Sequence, residues 1–275
     1  MANVKYLFQR VMNMNYKAMW EKISSIHKKT GRSRLAIFRD MKDCAVKYGA
    51  GYMDYDLFEM YNLTPEQRDT YLTRGRNNAL VVKYNDKAYT GQFDDKVQFN
   101  TLFGKYLHRD WVPVTGDNRE QVMAFLAAHE VFMAKPSQGS CGWGIEKLRR
   151  TDYPSLDALY DYLVQRAPKL ELEEVLEQHP QVSAIYPGSI NTVRMVTIRG
   201  KHGKVYLASE AAQVIPQVGY VGWDVCFTPN GPCLVEGNPF PGHDIYQLPV
   251  HTPDKIGIMP RFREIEAEEK MMNEE

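Results

Sequence analysis

The stretch Gly222–Gly242, GWDVCFTPNGPCLVEGNPFPG, constrains the chain more than any other. Two apolar runs, Asp224–Phe227 and Cys233–Val235, flank Pro229-Asn230-Gly231. Proline presets the first position of a type I turn, and glycine tolerates the left-handed residue that follows. The pattern therefore predicts a hairpin with a three-residue, bulged loop. That loop sets Thr228 opposite Pro232, Cys226 opposite Leu234 and Asp224 opposite Glu236. Side chains alternate along a strand, so Asp224, Glu236 and Asn238 project from one face. Carboxylates directly opposed at about 5 Å repel unless a cation sits between them. Hard oxygen ligands of this kind suit Mg²⁺, which takes one or two carboxylates and completes its shell with water and phosphate. The plainer alternative is an acidic hairpin face in water, since charged residues are mostly exposed. Apolar residues on both sides of the acids favour a lined cleft.

Composition narrows the class. The 275 residues are 44% hydrophobic and 25% charged, with 34 basic and 34 acidic side chains. This is an ordinary globular balance, long enough for two or three subdomains. A formal net charge of zero gives no global argument for nucleic acid or a membrane surface. No apolar run reaches the length of a membrane span, and the N-terminal residues lack the apolar core of a signal peptide. Cys44, Cys141, Cys226 and Cys233 show no C-x-x-C spacing, which argues against a disulfide or metal framework and fits a reducing cytoplasm. Cys226 and Cys233 are expected on opposite hairpin faces.

Residues 1 to about 80 read as helical. Tyr6, Leu7, Val11 and Met14 mark one amphipathic segment, and Tyr16, Met19, Trp20, Ile23 and Ile26 a second that ends near Gly31. A third, Ser33–Tyr48, has Ser33 as N-cap and Gly49 as stop. Short helices follow at Tyr55–Tyr61 and Pro65–Arg74, the latter with Thr64 as N-cap and proline at the first turn. Ala79–Val82 reads as a short strand, Val97–Leu107 and Asn118–His129 as helices, and Val131–Pro136 as a strand. Asp152–Arg166 is a helix, and Asn191–Ile198 a strand paired with Val205–Ser209 across the Arg199–Lys204 turn. Glu171–Glu177 is either a short helix or an extended linker, and the charged tail after Arg261 either a helix or a frayed end.

The second informative place follows Lys135. Ser137-Gln138-Gly139-Ser140-Cys141-Gly142-Trp143-Gly144-Ile145 comes straight after an apolar strand, and Gly144–Leu148 reads as a return strand. Glycines let backbone approach an anion and leave N–H groups free for phosphate oxygens. The spacing matches neither the P-loop nor the dinucleotide-binding fingerprint. A plain turn is the alternative. Arg194, on the Asn191–Ile198 strand, needs an anionic partner: a structural salt bridge or a phosphate or carboxylate clamp.

Taken in order, these pieces resemble the ATP-grasp superfamily: Asp95-Lys96 heading a helix, VFMAKP before a Gly-rich hairpin, Glu173–Leu176 (EEVL), then Asp224, Glu236-Gly237-Asn238 and Pro241-Gly242. More narrowly, Gln178-His179-Pro180, Ile190–Arg194, Gly222-Trp223-Asp224 and Glu236-Gly237-Asn238 are similar to the sugar-transfer-associated (TupA-like) ATP-grasp family. The likeness covers about residues 50–250. It implies an α+β fold of two lobes clamping ATP, with a helical N-terminal extension. The implied organisation is a helical region at 1–78, an α/β segment at 79–130, a lobe with the Gly-rich loop at 131–176, a lobe with the metal hairpin at 177–260 and a tail at 261–275.

The resemblance also implies roles. Lys96 and Lys135 contact phosphates, and Gln138, Gly139, Ser140, Gly142 and Gly144 form the loop over the triphosphate. Glu173, Glu174 and Leu176 belong to the linker that reads adenine. Asp224, Glu236 and Asn238 hold Mg²⁺. Gln178 or His179 stands where the family has an acidic ribose contact, a departure from its pattern. Arg194, with Asn191, holds the carboxylate or its acyl phosphate. The implied activity is an ATP- and Mg²⁺-dependent carboxylate–amine ligase in capsule or cell-envelope polysaccharide biosynthesis. Its partners are a small-molecule or glycan-precursor carboxylate, an amine donor and glycan-assembly enzymes. A sugar phosphotransferase on the same fold, or a non-catalytic nucleotide-binding partner of a glycosyltransferase, are the alternatives.

Overall fold

The computed structural model describes residues 14–139, 142–166, 170–199, 205–206 and 210–274. The chain forms two compact units, Met1–Leu80 with Gly242–Glu275, and Val81–Pro241.

The first unit is helical, and its ends are written locally. Helix α1 (Tyr16–Thr30) starts at Asn15, whose side chain accepts from the Ala18 N–H, and stops at Gly31 in the left-handed region. Helix α2 (Arg34–Tyr48) starts at Ser33 and stops at left-handed Gly49. Helix α3 (Tyr52–Leu57) precedes α4 (Pro65–Asp69), which opens with a reciprocal Thr64–Gln67 capping box. Such caps satisfy N–H groups that have no partner within the helix and are worth about 1 kcal/mol each. Met19, Ile23, Ile26, Ile37, Met41 and Cys44 recur at helical spacing and form the core with Tyr55 and Phe58. The helix Met259–Glu274 buries Phe262 and Ile265, so the charged tail is helical. The expectations at Tyr6, Leu7 and Val11 lie outside the described residues.

The unit boundary falls inside α5 (Arg74–Tyr84). The strand expected at Ala79–Val82 is therefore corrected to helix. Four apolar residues do not distinguish the two, and here Asn77 and Leu80 are buried at helical spacing while Val82 is 82% exposed.

The second unit is α+β. Helices α6 (Lys87–Asp94) and α7 (Lys96–Phe103) come first. A four-stranded antiparallel sheet follows from β1 (Trp111–Val114), β2 (Val131–Pro136), β3 (Glu146–Arg149) and β4 (Leu170–Glu174), in the order β1-β4-β2-β3. Helices α8 (Arg119–Ala128) and α9 (Leu156–Arg166) pack Val122, Phe125, Leu126, Leu159 and Leu163 against Val112, Phe132, Ala134 and Leu172. Period-two alternation turns Lys135, Glu171 and Glu173 to the opposite face of this sheet. Glu171–Glu174 is thus an inner strand rather than a helix or linker. Its apolar partners Leu170 and Leu172 are buried, and pairing on both sides overrides the helix-favouring glutamates.

After the short α10 (Pro180–Ser183), a second antiparallel sheet runs β6-β5-β7-β8, from β5 (Thr192–Arg199), β6 (Val205–Tyr206), β7 (Tyr220–Thr228) and β8 (Gly231–Asn238). Trp223 and Leu234 pack with Phe93, Phe99 and Phe103. A Cβ on Gly237 would lie 2.9 Å from both Phe93 and Trp223, which explains glycine between two polar positions.

The hairpin register differs from expectation near its loop. Thr228 pairs with Gly231, so the loop is Pro229-Asn230 alone, and Cys226 pairs with Cys233. The two cysteines therefore face each other as free, buried thiols. A bulge then intervenes: Val225 pairs with Leu234 but Asp224 pairs with Glu236, leaving Val235 as the extra residue. The two offsets cancel at Asp224–Glu236.

Candidate functional site

Three charged side chains stand in a row across the second sheet. Arg194 is opposite Asp224 on one side, and Glu236 is opposite Asp224 on the other. Arg194 Nε and Nη2 donate to the two Asp224 oxygens at 2.5 and 2.9 Å, a bidentate pair. A Cβ at Gly222 would come within 3.1 Å of Arg194 Cδ, so glycine there leaves the arginine its path. Glu236 is an exposed residue, but its carboxyl is pushed above the ordinary range by desolvation, then by the hydrogen bond to Asp224 and the charge of that residue. Asn238 follows on the same strand, its Oδ1 accepting from the Phe240 N–H at 2.9 Å. Among the described residues no group of three or more His, Cys, Asp and Glu side chains could hold a metal. Asp224, Glu236 and Asn238 are the side-chain oxygens brought together on this hairpin, with both Asp224 oxygens taken by Arg194 and Asn238 Oδ1 by the Phe240 N–H.

A second cluster lies on the polar face of the first sheet. Glu171 and Glu173 are both buried, and Asn100 Nδ2 donates to Glu171 Oε2 and Glu173 Oε1 at 3.0 Å each. Arg109 makes a bidentate pair with Glu173 at 2.9 and 3.1 Å, and Lys135 Nζ donates to Glu173 Oε2. The consequences for the two carboxyls are opposite. Burial and the adjacent Glu173 charge push Glu171 up to about 8. Glu173 is also penalised by burial, but Arg109 and Lys135 outweigh it and hold the carboxyl at about 2. Glu171 Oε1 is buried without a protein partner.

Lys96 joins the two clusters electrostatically, since its charge favours the ionised forms of both Glu171 and Glu236. It begins α7 beside the N-cap Asp95, and its Nζ donates to the Gly139 carbonyl at 3.0 Å. Its own N–H donates to the Ser137 carbonyl, and Asp95 bridges to Gln138. The helix start and the Gly-rich loop are therefore fastened together. The loop turns back through Gly142 and Gly144, both left-handed, and a Cβ at Gly144 would meet Pro136 Cγ at 2.9 Å. Ser140 lies outside the described residues.

Other expected site residues are occupied elsewhere. Glu174 accepts from the Asp110 N–H, and residues 175 to 179 after β4 carry no regular secondary structure. Leu176 lines an open groove with Gln178, Pro180 and Ala184. Gln178 donates to the Ser189 carbonyl and accepts both Asn191 N–H and Asn191 Nδ2. Asn191 Nδ2 also donates to the Tyr186 carbonyl at 2.8 Å, so both amides hold the 178–191 loop. His179 caps α10 through Nδ1. Residues missed by sequence reasoning are Asn100, Arg109 and Glu171. Alternation along LELEE could have put Glu171 with Glu173, but nothing local marks Asn100 or Arg109.

No protein-family model matches the chain, and no curated protein does. Among solved structures, the chain is similar to a D-alanine-D-alanine ligase from Coxiella burnetii, with 14% identity over 56% of this chain and 50% of that one, at a TM-score of 0.40. It is also similar to the ATP-grasp ligase PsnB complexed with minimal precursor, Mg and ADP, with 17% identity over 68% and 62%, at 0.44. A D-alanine-D-alanine ligase from Bacillus anthracis matches at 12% identity over 74% and 79%, at 0.40. The chain spans about half the length of the first of these.

Proposed function

We propose that this chain is an ATP-grasp ligase that activates a carboxylate with ATP and passes it to an amine. The observation that carries the reading is geometric: Lys96 is fastened to the glycine loop through the Gly139 and Ser137 carbonyls, and Asp224 stands between Arg194 and Glu236 on the hairpin sheet. Two lysines, a glycine loop and an oxygen-donor hairpin are what a triphosphate and its Mg²⁺ require. The donor set fits that ion. Glu236 and Asp224 crowd negative charge that a cation relieves, and Asp224 retains lone pairs beyond those given to Arg194. Mg²⁺ held by Asp224, Glu236 and Asn238 would neutralise phosphate charge. Lys135, released from Glu173, and Lys96 bind phosphate oxygens, while the loop at 137–144 excludes water. Arg194 holds the acceptor carboxylate or the acyl phosphate, and the arriving neutral amine displaces phosphate to leave an amide. We place the acceptor in capsule or envelope glycan assembly on the motif likeness alone.

The test is ADP release with candidate sugar acids and hydroxylamine as the amine. A hydroxamate dependent on ATP, Mg²⁺ and Glu236 supports the ligase. ADP release with phosphate ester and no hydroxamate would favour the phosphotransferase instead.

A further inference from the structure

Arg109 is a buried cation whose guanidinium reaches both sheets of the second unit. Its side chain is 1% exposed. Nε and Nη2 are taken by Glu173 on β4, and Nη1 donates to the Leu234 carbonyl at 2.7 Å. Nη2 also comes within 3.5 Å of the Val235 carbonyl, and Cys233 Sγ lies 3.6 Å from Nη1. Leu234 is the last paired residue before the bulge and Val235 the extra one, both on the outer strand of the sheet. A bulge removes ladder partners from the strand it interrupts, and a buried carbonyl without a partner is costly.

The bulge decides which side of the sheet Glu236 occupies. A regular ladder continued from Val225–Leu234 would set Asp224 opposite Val235 and Glu236 opposite Trp223. Glu236 would then face the aromatic packing of Phe93 and Phe103 instead of Asp224. We propose that Arg109 is a positioning residue: by holding the carbonyls at the bulge while anchored on Glu173, it fixes the register that brings Glu236 to Asp224. The anchoring acid also accepts from Lys135, so the lysine strand and the donor hairpin share one fixed cation. The metal consequence rests on the proposed function. The register consequence does not.

Two readouts separate them. The double variant Asp224→Cys, Glu236→Cys should form a 224–236 disulfide on oxidation, mapped by mass spectrometry. In an Arg109→Met background this cross-link should fall away, and Asp224→Cys with Val235→Cys should gain one. Arg109→Lys keeps a charge for Glu173 but lacks the fork needed to hold the carbonyls as well, and it reads the register should Arg109→Met not fold. An undiminished 224–236 cross-link in a folded variant overturns the proposal. With the hairpin carboxylates intact, Mn²⁺ binding followed by electron paramagnetic resonance should weaken roughly tenfold to a hundredfold in the folded Arg109 variant. Wild type that binds no Mn²⁺ would sink the metal reading, while the cross-links would still decide the register.

Discussion

Glu171→Gln should abolish a pH dependence that the wild-type fold carries. Glu171 is 0% exposed, shares Asn100 with Glu173 and is charged in the folded chain only as the pH rises through about 8, against an ordinary 4.5. Between these values the folded chain retains a proton that the unfolded chain has released, so stability falls as pH rises. Each pH unit crossed in that window costs about 1.4 kcal/mol, so this carboxyl alone removes about 2–3 kcal/mol between about pH 5 and 7. Glu173 does not mask the effect. Its carboxyl is held down at about 2, so its stabilisation is present above about 4.5 and is lost only as pH falls below that. Glutamine copies the protonated acid, accepting from Asn100 and donating toward Glu173. Urea unfolding of both proteins from pH 5 to 8 should therefore show the variant gaining steadily on wild type. A difference that stays flat across this range would refute the burial argument for Glu171.

Other outcomes follow from the same geometry. Gly144→Ala should cost about 1–3 kcal/mol in urea stability, because a left-handed residue would carry a Cβ against Pro136; unchanged stability would contradict the described turn. Asp40→Asn should lose about 2 kcal/mol, since Arg68 makes a bidentate pair with Asp40 at 2.7 and 2.8 Å and Tyr55 donates to it. Burial opposes ionisation of Asp40, but Arg68 and Tyr55 hold its carboxyl below the usual value. Its contribution is therefore present above about pH 4 and lost below it, and an Asn variant with wild-type stability at pH 7 would exclude it.

What was legible in the sequence was local. Ser33, Gly49 and Thr64 act within a turn of their own helices, so the caps could be read directly. The strand VFMAKP and its return past the glycines follow from short-range alternation and the left-handed positions at 142 and 144. The opposition of Asp224 and Glu236 was also readable, but by a path the chain does not take. A shorter loop moved the register one way and the Val235 bulge moved it back, and this also put Cys226 against Cys233. The bulge has no signature in its own residues, because Arg109 supplies partners to it from 125 residues away. Asn100 and Glu171 are 71 residues apart. Glu173 reads in sequence as part of a short helix or an extended linker, yet a paired strand on each side and two cations make it an interior group. Gln178 and Asn191 read as site residues from the position of their motifs, and in the structure they bond each other and backbone groups of the 178–191 loop. Their partners, backbone groups of one loop, are known only once it is closed.

The central claim is a nucleotide site that depends on the hairpin carboxylates. The direct measurement is thermal unfolding with ATP, with and without Mg²⁺, in wild type and Asp224→Asn. A ligand that binds only the folded chain stabilises it by about 2.7 kcal/mol at a hundredfold excess over Kd. The account predicts a shift in wild type that requires Mg²⁺ and disappears in Asp224→Asn. No shift at saturating ATP, or an equal shift in the variant, would contradict it.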